Sequence, residues 1–278
     1  SKTLMQDILR GEWDFQGHFV SDCWAIRDFH EHHMVTDTAE ESAAMALKAG
    51  CDVNCGNTYL HMVKAYQDGL VTEEEITLAA ERLFTTRFLL GLFDETEYDQ
   101  IGYDKIECKE HLALADRATA EGVVLLKNNG ILPLKKEQLK TIGVVGPNAN
   151  SRAALIGNYH GTSSRYVTVL EGIQDALPED TRVYYSEGCH LYLEKVEGLG
   201  QRQDRISEAV GVAKNSDVVV LCVGLDETLE GEEGDTGNAY FSGDKKDLHL
   251  PASQERLMGE LLDCGKPVVL VNMSGSSV

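Results

Sequence analysis

A short apolar run, Phe19-Val20, breaks off into Ser21-Asp22, and Trp24 follows two residues later. A buried parallel strand delivers a carboxylate in this way to the open end of a sheet or barrel, where α/β folds bind their ligands. A carboxylate beside an indole suits sugar chemistry. The acid can attack or stabilise an anomeric carbon while the flat ring packs on a sugar face. An Asp that closes a strand also serves as a turn or cap residue, so the motif alone does not fix a function. A second acidic stretch lies far downstream: Gly224-Leu225-Asp226-Glu227-Thr228-Leu229-Glu230-Gly231-Glu232-Glu233-Gly234-Asp235. It leaves the carboxyl end of an apolar run, again where sites form. A solvated loop or a calcium site would also be acidic, but the spacing is not that of an EF-hand and the ligand at its far end is absent. Two carboxylates from distant parts of a chain meet the demand of glycoside hydrolysis. One attacks the anomeric carbon, and the other protonates the leaving oxygen and later deprotonates water, at about 5–5.5 Å separation for a retaining mechanism. Crowding among Glu230, Glu232, Glu233 and Asp235 would supply the raised pKa that such an acid needs.

The elements that must position these groups follow from periodicity. Residues 3 to 10 read as an amphipathic helix stopped by Gly11, ahead of the strand that carries Asp22. Arg27-Asp28-Phe29-His30-Glu31-His32-His33 reads as a polar, solvated loop bordering the site; its potential ligands are adjacent and cannot converge on one metal ion. Thr38 caps a helix to Lys48 that Gly50 ends, and Cys51-Asp52-Val53-Asn54 is a second short strand. A helix near Tyr59 to Gln67 follows. The capping box at Thr72 and Glu75 then opens a long helix to about Leu90, closed by Gly91. Residues 94 to 108 carry no period and read as a linker, and a helix over Lys109 to Glu121 follows it. From there, apolar runs at 142–146, 182–185, 218–223 and 268–271 alternate with helical segments near 169–177, 204–214 and 253–263. Fully apolar strands alternating with helices imply a mostly parallel sheet covered on both faces.

Composition narrows the partners. A net charge of −21 argues against nucleic acid and anionic membranes, and fits a neutral glycoside. No apolar run approaches the roughly 20 residues of a membrane span. The seven cysteines are odd in number and widely spaced, several inside apolar runs. They read as buried free thiols and not as a disulfide framework, which favours a cytoplasmic location. Cys51 and Cys55 form the one close pair and lack the second pair a zinc site needs. Gly143-Val144-Val145-Gly146-Pro147-Asn148 has proline where a dinucleotide fingerprint has glycine, so no nucleotide cofactor, and no cofactor or metal of any kind, is expected.

Taken together, these motifs resemble glycoside hydrolase family 3. The matching pieces are Phe19 to Ile26, Ala46 to Gly56, Arg82 to Asp94, Ala120 to Leu134, Ile142 to Ala149, Gly157 to Thr162, Thr168 to Ile173, Gly224 to Asp235 and Asp247 to Pro251. In detail the chain is most similar to the β-xylosidase/β-glucosidase branch, through Ser21-Asp22-Cys23, Asp52-Val53-Asn54-Cys55-Gly56 and Gly157-Asn158-Tyr159. The resemblance implies an α/β fold: the C-terminal part of a TIM-type barrel (1–93), the linker (94–108) and an incomplete α/β sandwich domain (109–278). It implies Asp22 as nucleophile and Trp24 as a sugar-lining residue. Counting without gaps, with three residues from the acid to Asp235, selects Glu232 as acid/base; matching the family's Glu-Gly dipeptide selects Glu233. The arginine that usually follows Asp235 in the family is missing. The acidic loop argues against the N-acetylglucosaminidase branch, which places its acid/base in the barrel.

An eight-stranded barrel takes about 250 residues, more than precede the linker, so the chain reads as a fragment whose natural N-terminus lies upstream. The activity implied is a retaining exo-β-glycosidase acting on terminal β-linked xylose or glucose, with homo-oligomerisation left open. Two other classes stand beside it. A non-catalytic carbohydrate-binding fragment would keep sugar affinity after Asp22→Asn; a nucleotide-dependent enzyme would bind NAD or ATP tightly.

Overall fold

The apolar, β-branched runs of the second half become four parallel strands in the computed structural model, which describes every residue except Asn158, Glu197, Leu199, 232–244 and Lys246. The chain divides into two compact units, Ser1–Val124 and Leu125–Val278. In the second, β1 (Thr141–Val145), β2 (Arg182–Ser186), β3 (Val218–Gly224) and β4 (Val268–Met273) form a sheet in the order β2-β1-β3-β4. β1 and β3 lie at its centre, and every residue of β3 is buried. Successive side chains take opposite faces. Val219, Leu221 and Val223 pack with Ile206, Ala209, Leu257 and Leu261, whereas Val218, Val220 and Cys222 pack with Ile142, Val144 and Leu170. Burial of each Val, Leu or Ile side chain among these contributes about 1.5–3 kcal/mol relative to exposure.

The first unit contains a helical segment, Thr3–Glu12, wound as a π-helix, then α1 (Asp28–Glu31), α2 (Ala39–Ala49), α3 (Met62–Gln67), α4 (Glu73–Leu89) and α5 (Lys109–Gly122). The second adds α6 (Val169–Ala176), α7 (Asp204–Lys214), α8 (Glu227–Glu230) and α9 (Ala252–Leu262). Local signals set several boundaries as the sequence indicates. Thr38 accepts the Glu41 N–H at the start of α2, Gly50 ends that helix at φ +106°, and Thr72 and Glu75 close a capping box on α4.

Other expectations need correction. The first helix does not stop at Gly11; its wide winding carries it to Glu12, with the Trp13 N–H on the Ile8 carbonyl. The polar loop at Arg27–His33 holds the helical turn α1, closed by the Glu31 and His32 N–H groups on the Arg27 and Asp28 carbonyls, with His30 Nδ1 2.9 Å from Ser42 Oγ of α2. The two short strands of this unit contract to one parallel bridge, Val20 with Val53. Apart from these corrections, α5, which follows the linker, lies in the first compact unit, and none of its residues is buried.

The cysteines need the clearest correction. Cys23 and Cys55, separated by 32 positions, form a disulfide. The parallel bridge just upstream of both brings them side by side, a pairing that spacing alone does not reveal. The remaining five are free thiols. Burial pushes those of Cys189 and Cys222 up to about 12, which keeps them protonated and unreactive. The free-thiol argument for a cytoplasmic location therefore fails for one pair. Among the described residues no helix is long and apolar enough to cross a membrane.

Candidate active site

Asp22 sits just beyond the parallel bridge, at the carboxyl end of its segment. The bridge is made by the Asp52 and Val53 N–H groups donating to the Phe19 carbonyl, at 2.9 and 3.0 Å, and the Ser21 N–H donating to Val53 at 2.9 Å. Ser21 continues the attachment through its side chain. Its Oγ accepts the Cys55 N–H at 3.0 Å and Asn54 Nδ2 at 3.2 Å. Beyond Asp22, the disulfide ties Cys23 to Cys55, and the Trp24 N–H donates to the Cys55 carbonyl at 2.9 Å. Asp22 itself is exposed, and among the described residues its carboxylate accepts one hydrogen bond, from the Cys23 N–H to Oδ1 at 2.9 Å. No described residue bonds its second oxygen.

Trp24 holds φ at +66°, a left-handed conformation that a bulky residue adopts at a cost of about 1–3 kcal/mol. The disulfide on one side and the Cys55 carbonyl on the other enforce it. The indole remains 47% exposed, and the Arg27 guanidinium lies 4.8 Å from the ring centroid. A flat ring presented this way beside an exposed carboxylate can stack on the apolar face of a sugar.

Beneath this surface lies a charged cluster that sequence reading missed. The Asp52 side chain is only 2% exposed. Its Oδ2 accepts the Phe19 N–H at 2.8 Å and Arg10 Nη2 at 2.6 Å, while Oδ1 accepts Arg82 Nη1 at 3.0 Å. Arg10 also donates to the carbonyls of Phe15 and Gly17. Burial lowers the pKa of the Arg10 guanidinium, and the Asp52 carboxylate opposes that shift. Asp52 stood in a segment already marked for its pattern, but its partners come from positions 10, 19 and 82, which no local pattern connects.

In the second unit, the acidic loop leaves β3 at the point where strand order reverses. Gly146 and Gly224 make that end possible. A Cβ on Gly146 (φ +121°) would stand 1.9 Å from the Cys222 carbonyl oxygen, and one on Gly224 (φ +147°) 2.1 Å from that of Met273. Gln254, fully buried, grips the same end: its Oε1 accepts the Gly224 N–H, and its Nε2 donates to the Gly224 and Leu191 carbonyls. Two acids of the loop, Asp226 and Glu230, are hydrogen-bonded to described residues, and a third approaches a histidine. Asp226 accepts the Thr228 N–H and hydroxyl, Glu227 lies 3.7 Å from His160 Nε2, and Glu230 accepts the N–H groups of Gly275 and Ser276. Glu232 and Glu233 lie outside the described residues. The structure thus brings Asp22 together with Trp24, in the first unit, and roots the loop of the two glutamates in the second. Among the described residues no group of three His, Cys, Asp or Glu could hold a metal ion.

This is the architecture of an α/β glycosidase: part of a TIM-type barrel followed by a mostly parallel α/β sandwich. The chain belongs to glycosyl hydrolase family 3. Residues 1–86 match the family's N-terminal domain and 123–278 its C-terminal domain. A probable β-D-xylosidase of Arabidopsis thaliana is 36% identical over 99% of this chain and 34% of its own length. Among solved structures, a family 3 exo-β-xylosidase in complex with a xylobiose aziridine activity-based probe superposes with a TM-score of 0.84 at 29% identity, over 98% of this chain and 33% of that one. A β-glucosidase of Erythrobacter marinus gives a TM-score of 0.84 at 33% identity, over 98% of this chain and 38% of that one. The chain spans about a third of the length of the curated relatives it matches.

Proposed function

We propose that the protein acts as a retaining exo-β-glycosidase that removes terminal non-reducing β-linked xylose, or glucose, through a covalent intermediate on Asp22. In the first step the Asp22 carboxylate attacks the anomeric carbon and the glycosidic C–O bond breaks. Glu232, or Glu233 in its place, gives its proton to the departing oxygen. In the second step the same glutamate takes a proton from water, the water oxygen bonds to the anomeric carbon, and the bond to Asp22 breaks, restoring the carboxylate. Trp24 packs against the sugar ring.

The observation that carries this reading is the setting of Asp22: an exposed carboxylate with one oxygen that no described residue bonds, at the end of a parallel-paired segment and beside an exposed indole, in a family 3 chain. The hydrogen bonds that hold Asp226 and Glu230 support the choice of Glu232 or Glu233 from the loop. The names of the curated relatives, β-xylosidases, favour xylose over glucose. The test is proton NMR of the full-length protein turning over aryl β-xyloside and β-glucoside. The first-formed sugar is expected to be the β-anomer, with the xyloside consumed faster. A first-formed α-anomer excludes the covalent route, and sugar binding without turnover makes the protein a carbohydrate-binding one.

A further inference from the structure

We propose that Asp52 is a positioning residue for Asp22, an inference that rests on the reading of Asp22 as the nucleophile. The segment carrying Asp22 is attached to residues 52–55 on both sides of the carboxylate. Ser21 Oγ, just before Asp22, and the disulfide and the Trp24 N–H, after it, attach it to Asn54 and Cys55. Further upstream, the attachment is Asp52: its Oδ2 holds the Phe19 N–H at 2.8 Å, and its own N–H returns to the Phe19 carbonyl at 2.9 Å. This two-point grip fixes the register of the Val20–Val53 bridge, and with it the height at which Asp22 leaves the segment. In a single bridge with no flanking ladder, the register rests on such individual attachments, and Asp52 supplies the side-chain one upstream of the bridge.

The grip is rigid because Asp52 is itself held. Arg10 and Arg82 approach separate oxygens of its carboxylate at 2.6 and 3.0 Å, from the Thr3–Glu12 helix and from α4. The side chains of Asp52 and Arg10 are 2% and 9% exposed, so these charge-assisted bonds are shielded from water. Arg10 extends the anchor by donating to the Phe15 and Gly17 carbonyls, on the approach to Phe19. One buried carboxylate therefore references the nucleophile's backbone to two helices. Attack on an anomeric carbon needs near-attack placement, and a displacement of about 1 Å costs on the order of 10²-fold in rate.

The experiment is Asp52→Asn in the full-length protein, with active sites titrated by a 2-deoxy-2-fluoro-β-xyloside bearing a good leaving group. The expected result is a fall in kcat per titrated site of about 10- to 100-fold, with KM for aryl β-xyloside changed less than about threefold. A purely structural role would lower the titratable fraction and leave kcat per titrated site at the wild-type value; that result overturns the inference. Should the Asn variant fail to fold, Arg82→Lys decides. It keeps the charge on α4 but loses the guanidinium geometry, and a fall of about three- to tenfold per titrated site is expected, whereas no fall overturns the inference. The wild-type arm separates the two readings: if the label does not map to Asp22, the nucleophile assignment fails whatever the Asp52 variant does.

Discussion

The segment that carries Asp22 and the sheet that roots the acidic loop both rest on parallel pairing, yet they are held by opposite means. In the sheet, four strands share a ladder and the central strand is buried along its length among Val, Leu and Cys side chains. At Asp22 the ladder is one bridge, and what holds it is specific and polar: the Asp52 cluster, the Ser21 hydroxyl and a disulfide. Apolar packing is non-directional and tolerates small shifts. A charge-assisted hydrogen bond or a covalent link fixes one geometry. A scaffold can be built the first way; a carboxylate proposed to meet an anomeric carbon is better held the second way.

That contrast can be broken at several points. The largest effect is expected at the chemistry itself. Asp22→Asn should lower kcat/KM for an aryl β-xyloside by about 10⁴-fold or more, the scale on which nucleophile removal acts in other hydrolases, while sugar affinity by calorimetry persists. Of Glu232→Gln and Glu233→Gln, the one that removes the acid/base should lose about 10²–10⁴-fold, and azide should partly restore its turnover by forming a β-glycosyl azide.

Stability should then divide the two regions. Leu257→Ala opens a cavity against β3 and should cost about 2–5 kcal/mol in denaturant unfolding, with little change in kcat per titrated site. Cys55→Ser should cost about 3–4 kcal/mol by loop-closure entropy. Unlike Leu257→Ala, it should also slow labelling at Asp22, because Cys23 supplies the N–H that orients that carboxylate. Equal labelling rates for the two variants would erase the distinction between scaffold and clamp.

The smallest effect is a pH dependence in the sheet. The N–H groups of Thr141 and Lys140 hold the Asp217 carboxyl below its usual pKa. A carboxylate whose folded pKa is depressed stabilises the fold above its unfolded pKa, near 3.9, and that contribution fades as pH falls through the folded value. Asp217→Asn should therefore melt below the wild type at pH 7, with the difference closing under acid conditions. A difference independent of pH would assign the effect to something other than this carboxylate.

The same contrast explains what the sequence made legible. The four strands of the sheet and the helices between them declare themselves as continuous β-branched runs alternating with amphipathic stretches, because each reports its own burial locally. Thr72-Glu75 and Gly50 mark helix ends for the same reason. The residues around Asp22 give no such signal. Asp22, Ser21 and Trp24 stand out by type, but Arg10, Asp52 and Arg82 meet only after Val20 pairs with Val53, and Cys23 finds Cys55 by the same pairing. A polar clamp between distant positions has no period to read. Resemblance to the family pointed to the Asp52–Gly56 segment without saying what its aspartate holds.

The central claim is that Asp22 forms the bond to the sugar. It is tested most directly by incubating the full-length protein with 2-deoxy-2-fluoro-β-xyloside and mapping the adduct by peptide mass spectrometry. The expected product is one fluoroxylosyl group per polypeptide, carried on Asp22 within the Phe19–Ile26 segment and absent from Asp22→Asn. An adduct on any other residue, or full turnover by Asp22→Asn, would contradict it.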